Sequence, residues 1–99
     1  WVFNIRQHLQ ETYLEAKLEA ALILFQQDNL SQALEYCQQI VEIDPCMEAA
    51  HRLAMQIYAA KGNRAGIYRQ FEKCRLALLK EINTIPSAQT IGLFEILNH

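Results

Sequence analysis

A chain of 99 residues with a formal charge of −2 makes one domain and leaves little room for a second, and the acidic balance argues against autonomous binding to nucleic acid. Hydrophobic residues make up 52% of it, enough for a core and too many for disorder. Ala, Leu, Gln and Glu are plentiful and Val and Thr scarce, which favours an all-helical domain, and no apolar run reaches the roughly 18 residues needed to cross a bilayer.

The first helix is predicted from Val2 to Gln27. Phe3, Ile5, Leu9, Tyr13, Leu14, Leu18 and Leu22 set its early periodicity. From Ala20 to Phe25 it becomes apolar all round, so it is expected to be covered on more than one side. The polar run Gln26-Gln27-Asp28-Asn29 ends it. A second helix follows from Leu30 to Ile43, with Asn29 as cap and Gln32 placed to complete a capping box. Leu30, Ala33, Leu34, Cys37, Ile40 and Val41 form its buried stripe.

Pro45 disfavours helical geometry at Asp44, so a corner is expected there. Asp44 is expected to cap the third helix and Pro45 to take its first position, where no N–H is needed. Ala50, Leu53, Ala54, Ile57 and Tyr58 give that helix its stripe, and Gly62 supplies a left-handed residue to close it. The fourth helix is predicted over Arg64–Ile82 with Asn63 as cap and Ile67, Phe71, Cys74, Leu78 and Ile82 inward. Gly66 near its start costs roughly 1 kcal/mol relative to Ala, as a close backbone contact or as an ordinary substitution. After the linker Asn83–Pro86, Ser87 caps a fifth helix from Ala88 to Leu97, apolar enough at Ile91, Leu93, Phe94, Ile96 and Leu97 that it must dock on the others.

A repeat shows when the caps are compared. Asp28-Asn29 and Gly62-Asn63 lie 34 residues apart, and Ala33 then shares a register with Ile67, as Cys37 does with Phe71. A helix–turn–helix unit of this length has the tetratricopeptide period. The expected fold is therefore an all-α, tetratricopeptide-like stack of antiparallel hairpins, five helices wound as a right-handed superhelix. Two units fall below the usual minimum of three, so the front of the first helix and the fifth helix are the candidate caps.

Four landmarks carry a resemblance to a known family. They are Asp44-Pro45-Cys46-Met47-Glu48-Ala49-Ala50-His51-Arg52, Tyr58-Ala59-Ala60-Lys61-Gly62-Asn63-Arg64, Tyr68-Arg69-Gln70-Phe71-Glu72-Lys73-Cys74-Arg75, and Pro86-Ser87 with Thr90, Leu93 and Phe94. In that order and spacing they resemble the bacterial transcriptional activator domain, the tetratricopeptide-like module of antibiotic-pathway regulators and of large ATP-dependent transcriptional regulators. The departure is at Glu81-Ile82-Asn83-Thr84, where the family usually carries a Glu-Leu-Gly turn. The resemblance implies a cytoplasmic, non-enzymatic interaction and dimerisation module without cofactors, partnered by protein, with DNA contacted through another domain. The start at Trp1, inside a helical pattern, fits residues 1–99 as one domain cut from a longer regulator. The alternative is a generic tetratricopeptide-like scaffold that binds a peptide and has no transcriptional role.

No motif for chemistry competes with this. His8, His51 and His99 have no partners at metal-ligand spacing, and His51 reads as a helix-surface or packing residue. Asp44 and Glu48 read as a cap and a first-turn acid, better than as a pair of working carboxylates. Cys37, Cys46 and Cys74 are odd in number and lack a Cys-x-x-Cys, as reduced thiols do. Charge is uneven: residues 1–50 hold two basic residues against eight acids, and residues 51–99 hold seven against three. Arg64, Arg69, Lys73 and Lys80 thus form a candidate basic strip for phosphates or an acidic partner, or else a solvated helix face. The other candidate is the concave groove of the stack, lined in this register by Leu18, Leu22, Phe25, Arg52, Gln56 and Ala59. Either a partner segment docks there, or the fifth helix or the front of the first fills it.

Overall fold

The computed structural model describes the backbone of residues 2–99 and the side chains of residues 7–99; Trp1 and the side chains of Phe3 and Ile5, which entered the sequence reading, lie outside them. Five helices follow in order: α1 (Val2–Gln26), α2 (Leu30–Ile43), α3 (Glu48–Ala60), α4 (Arg64–Ile82) and α5 (Ala88–Leu97), with no strand among the described residues. Each of α1 to α4 packs on the next, while α5 turns back onto α3 and α4 and, among the described residues, does not bring its backbone against α1 or α2. The smallest dimension is 18 Å, the depth of two helix layers of about 10 Å each. This is the helical stack that the 34-residue period calls for.

The period has a visible physical basis in the turns. Asp28 and Gly62 both adopt left-handed backbone, with φ of 62° and 72°. After α1, the Asp28 N–H donates to the Phe25 carbonyl and the Asn29 N–H to the Leu24 carbonyl. After α3, the Gly62 N–H donates to Ala59 and the Asn63 N–H to Tyr58, bond for bond the same motif 34 residues on. This pairing closes a helix by satisfying its last carbonyls, and it needs one residue that tolerates positive φ. Glycine fits at 62; at 28 an aspartate holds the same conformation against its Cβ. Asn83, with φ of 51°, does so after α4.

The helices lie close because small side chains sit where they cross. Ala21, Ala33, Ala50, Ala54 and Cys37 are fully buried, and Leu14, Ile40, Val41, Leu53 and Ile57 fill the space around them. Phe71 stacks on Phe94 with ring centroids 4.1 Å apart and planes tilted by 15°, which docks the apolar side of α5 on α4. The three thiols are free, and burial pushes Cys37 up to about 12 and Cys74 up to about 11, so both behave as small apolar residues.

Four expectations need correction. Asp44 does not cap α3. Its carboxylate accepts the N–H of Cys46 at 3.2 Å, closing a local turn, and its own N–H donates to Ile40 as the cap of α2. Pro45 therefore sits in that turn, and α3 begins at Glu48 with Met47 as its N-terminal neighbour. Asn29 makes no side-chain cap either, because its amide donates to Gln32 Oε1 at 3.1 Å. The apolar end of α1 is covered on one side only: Ala21 is buried, but Leu22 and Ile23 are 44% and 53% exposed. Lastly, Ile82 does not face inward: it stands at the last residue of α4 and is 60% exposed. Of the two readings open for Gly66, the close contact holds: a Cβ there would lie 2.7 Å from Tyr58 Cγ. Asn63 and Ser87 cap as expected, accepting the N–H groups of Gly66 and Thr90.

Candidate functional site: the groove between α1, α3 and α5

Between α1, α3 and α5 the stack carries an open cavity of 430 Å³. Leu18 and Leu22 come from α1, Ala49, Arg52, Leu53 and Gln56 from α3, and Gln89 and Leu93 from α5. The lining mixes apolar side chains with a few polar ones, the usual composition of a recognition groove. The positions follow from helical spacing. Leu18 and Leu22 are one turn apart on α1, and Arg52 and Gln56 one turn apart on α3, so each pair presents one edge of its helix to the groove.

Four of the candidate groove residues, Leu18, Leu22, Arg52 and Gln56, come together here. Phe25 does not; it packs against the core cluster around Ala21, Ala33 and Leu53. Ala59 lies in a separate shallow hollow with Gly62, Arg64, Ile67 and Leu97. Sequence spacing did not include Gln89 and Leu93, because which face α5 would dock was not set by its own pattern. Thus α5 forms a wall of the groove and leaves it open.

One carboxylate fixes that wall. Glu48 Oε1 accepts the Thr90 hydroxyl at 2.7 Å and the Ser87 N–H at 2.9 Å. Thr90 Oγ1 in turn accepts from the Arg52 guanidinium at 3.0 Å. Thr90 is completely buried, so the two bonds at its hydroxyl are shielded and correspondingly costly to lose, while the Ser87 bond is exposed. Burial alone would raise the Glu48 carboxyl, but the Ser87 amide, the Thr90 and Ser87 hydroxyls and Arg52 together hold it below the usual range. The acid read from sequence as a helix first-turn residue therefore also anchors α5. The available signal was the pair Ser87 and Thr90 at capping spacing, which left the Thr90 hydroxyl in need of an acceptor.

The candidate basic strip is divided by the structure. With about 100° per residue, Arg69, Lys73 and Lys80 lie within about 40° of one another on α4, and Arg64 lies some 140° or more away. Arg64 donates to the His99 carbonyl at 2.8 Å, and Lys73 donates to Gln38 Oε1 at 3.3 Å. Arg75 forms a bidentate ion pair with Glu72, at 2.8 and 3.0 Å. Arg69 and Lys80 are exposed. His51 is fully buried, which decides between the two roles read for it: it is a packing residue, hydrogen-bonded at both ring nitrogens.

Among the described residues, no group of three or more His, Cys, Asp or Glu side chains gathers as metal ligands would, and no helix is long and apolar enough to cross a membrane. The family model described as Bacterial transcriptional activator domain matches residues 1–97. No curated protein and no solved structure matches the chain.

Proposed function

The chain belongs to the bacterial transcriptional activator domain family, and from that premise we propose that it is the protein-interaction module of a bacterial transcriptional regulator, binding a partner segment in the groove between α1, α3 and α5. The observation that supports this most is the groove itself. It is lined by the apolar Leu18, Leu22, Leu53 and Leu93 and by the polar Arg52, Gln56 and Gln89, which are able to orient an occupant. The occupant is a segment of the same regulator, in a second copy or in another domain. DNA is contacted by a different domain of the full-length chain, of which residues 1–99 form one. The role involves no chemical step and no cofactor, and it is carried out in the cytoplasm, where bacterial promoters are.

The test uses the full-length regulator with a promoter reporter. Leu22→Glu and Leu93→Glu each put a charge on the groove lining at residues that are not fully buried. Activation is expected to fall at least several-fold while promoter binding and the helical circular-dichroism signal persist. Activation at the unaltered level in both variants would overturn the proposal.

A further inference from the structure

Away from the groove, a chain of hydrogen bonds runs from the core to the surface across three helices. His51 Nε2 lies 2.7 Å from the Pro45 carbonyl, and His51 Nδ1 lies 2.7 Å from Gln70 Nε2 on α4. Gln70 Oε1 accepts from Gln38 Nε2 on α2 at 3.1 Å, and Gln38 Oε1 accepts from Lys73 Nζ at 3.3 Å. The Tyr58 hydroxyl also faces Gln38 Nε2, at 3.4 Å. His51 is wholly buried and Gln70 nearly so, at 3% exposure; Lys73 is exposed.

Both ends of this chain are fixed in polarity. A carbonyl can only accept and an ammonium can only donate. Lys73 therefore turns the oxygen of Gln38 outward, Gln38 offers its N–H to the oxygen of Gln70, and Gln70 offers its N–H to His51 Nδ1. The imidazole is left with its one proton on Nε2, which is what Pro45 requires. We propose that Lys73, Gln38, Gln70 and His51 form a one-directional relay that holds His51 neutral and couples the surface lysine to the packing of α2, α3 and α4.

Protonated His51 would present an N–H at both nitrogens. Gln70 would then have to reverse, Gln38 after it, and the amide of Gln38 would meet the ammonium of Lys73 donor to donor. Protonation of His51 and the Lys73–Gln38 bond exclude each other. The charged groups around the ring divide: Lys73 of α4 opposes its protonation, while Glu48 of α3 and Asp44 of the turn favour it. From α2 it is reached through the neutral amide of Gln38. Burial is the largest influence and holds the imidazole below the ordinary histidine range, in the same sense as the relay.

The test is a histidine NMR titration of the 99-residue chain. In the unaltered protein, long-range proton–nitrogen spectra are expected to show the Nε2–H tautomer of His51; the Nδ1–H tautomer would overturn the relay at once, with no variant needed. Lys73→Arg keeps a donor-only cation and should leave the His51 midpoint in place. Lys73→Gln supplies an acceptor, so the relay can reverse and the midpoint should move up. Loss of the lysine charge also moves it up, so the two effects are separated in a Gln38→Leu background, where the relay is cut. There the shift from Lys73→Gln should shrink to its electrostatic part. An equal shift in both backgrounds would refute the coupling.

Discussion

Gly66→Ala sets two physical effects of opposite sign against each other, and the structure decides which wins. In an exposed helix the change would gain about 1 kcal/mol of helix propensity. Here the new methyl would lie 2.7 Å from Tyr58 Cγ and 2.8 Å from Cε1, where carbon atoms settle at about 3.5–4.0 Å. The ring must retreat by about 1 Å, and its far end is held where its hydroxyl meets Gln38. Overpacking of this kind costs about 1–3 kcal/mol, so the net expectation is a loss of about 1 kcal/mol. Urea denaturation followed by circular dichroism measures it. The same substitution in a Tyr58→Ala background has no ring to displace and should stabilise by about 1 kcal/mol. If Gly66→Ala stabilises equally with and without the tyrosine, the contact does not govern this position and the reasoning fails.

The two homologous turns should respond in opposite directions. Gly62→Val should destabilise by more than about 1 kcal/mol through positive φ alone, since nothing crowds a Cβ there. Asp28→Gly should raise stability by about 0.5–1 kcal/mol, because it relieves the same conformation at the earlier turn; unchanged urea midpoints in both would dismiss the account. Glu48 gives a pH dependence. Its folded carboxyl is held below its unfolded range, so its contribution is complete above the unfolded value and disappears as pH falls through the folded one. Hydrogen exchange in α5 should accordingly quicken relative to α2 on acidification below about pH 4.5, and Glu48→Gln should flatten that difference. Equal acid sensitivity in the variant would show that another group holds the helix.

How far the fold was legible depended on where the punctuation was unambiguous. The limits of α2 and α4 were readable because Asn29, Ile43 before Asp44-Pro45, Asn63 and the Asn83 turn each mark an end. The start of α3 was misplaced by three residues because Asp44 had two acceptable uses for one carboxylate. A cap on the next helix and a turn to Cys46 differ by too little for sequence to choose. The burial of His51 was within reach, since it stands three and four residues before the buried Ala54 and Met55. Its partners were not, for Gln38 and Gln70 are ordinary outward-looking residues until helix crossing brings them together. The groove was half legible for the same reason: the α1 and α3 edges follow from spacing within a helix, and the α5 wall follows from a tertiary contact at Glu48.

The attachment of α5 has a mechanical meaning. It bears on α3 and α4 alone, tied at its start by Glu48 and resting farther along on the face of Phe71. The opposite lip of the groove belongs to α1, whose partners are α2 and α3. The cleft is thus bounded by two arms mounted on a common spine, α3, and not bolted to each other. Its width is therefore set separately on each side, by the packing of α1 on α2 and α3 and by the Glu48 and Phe71 anchors of α5.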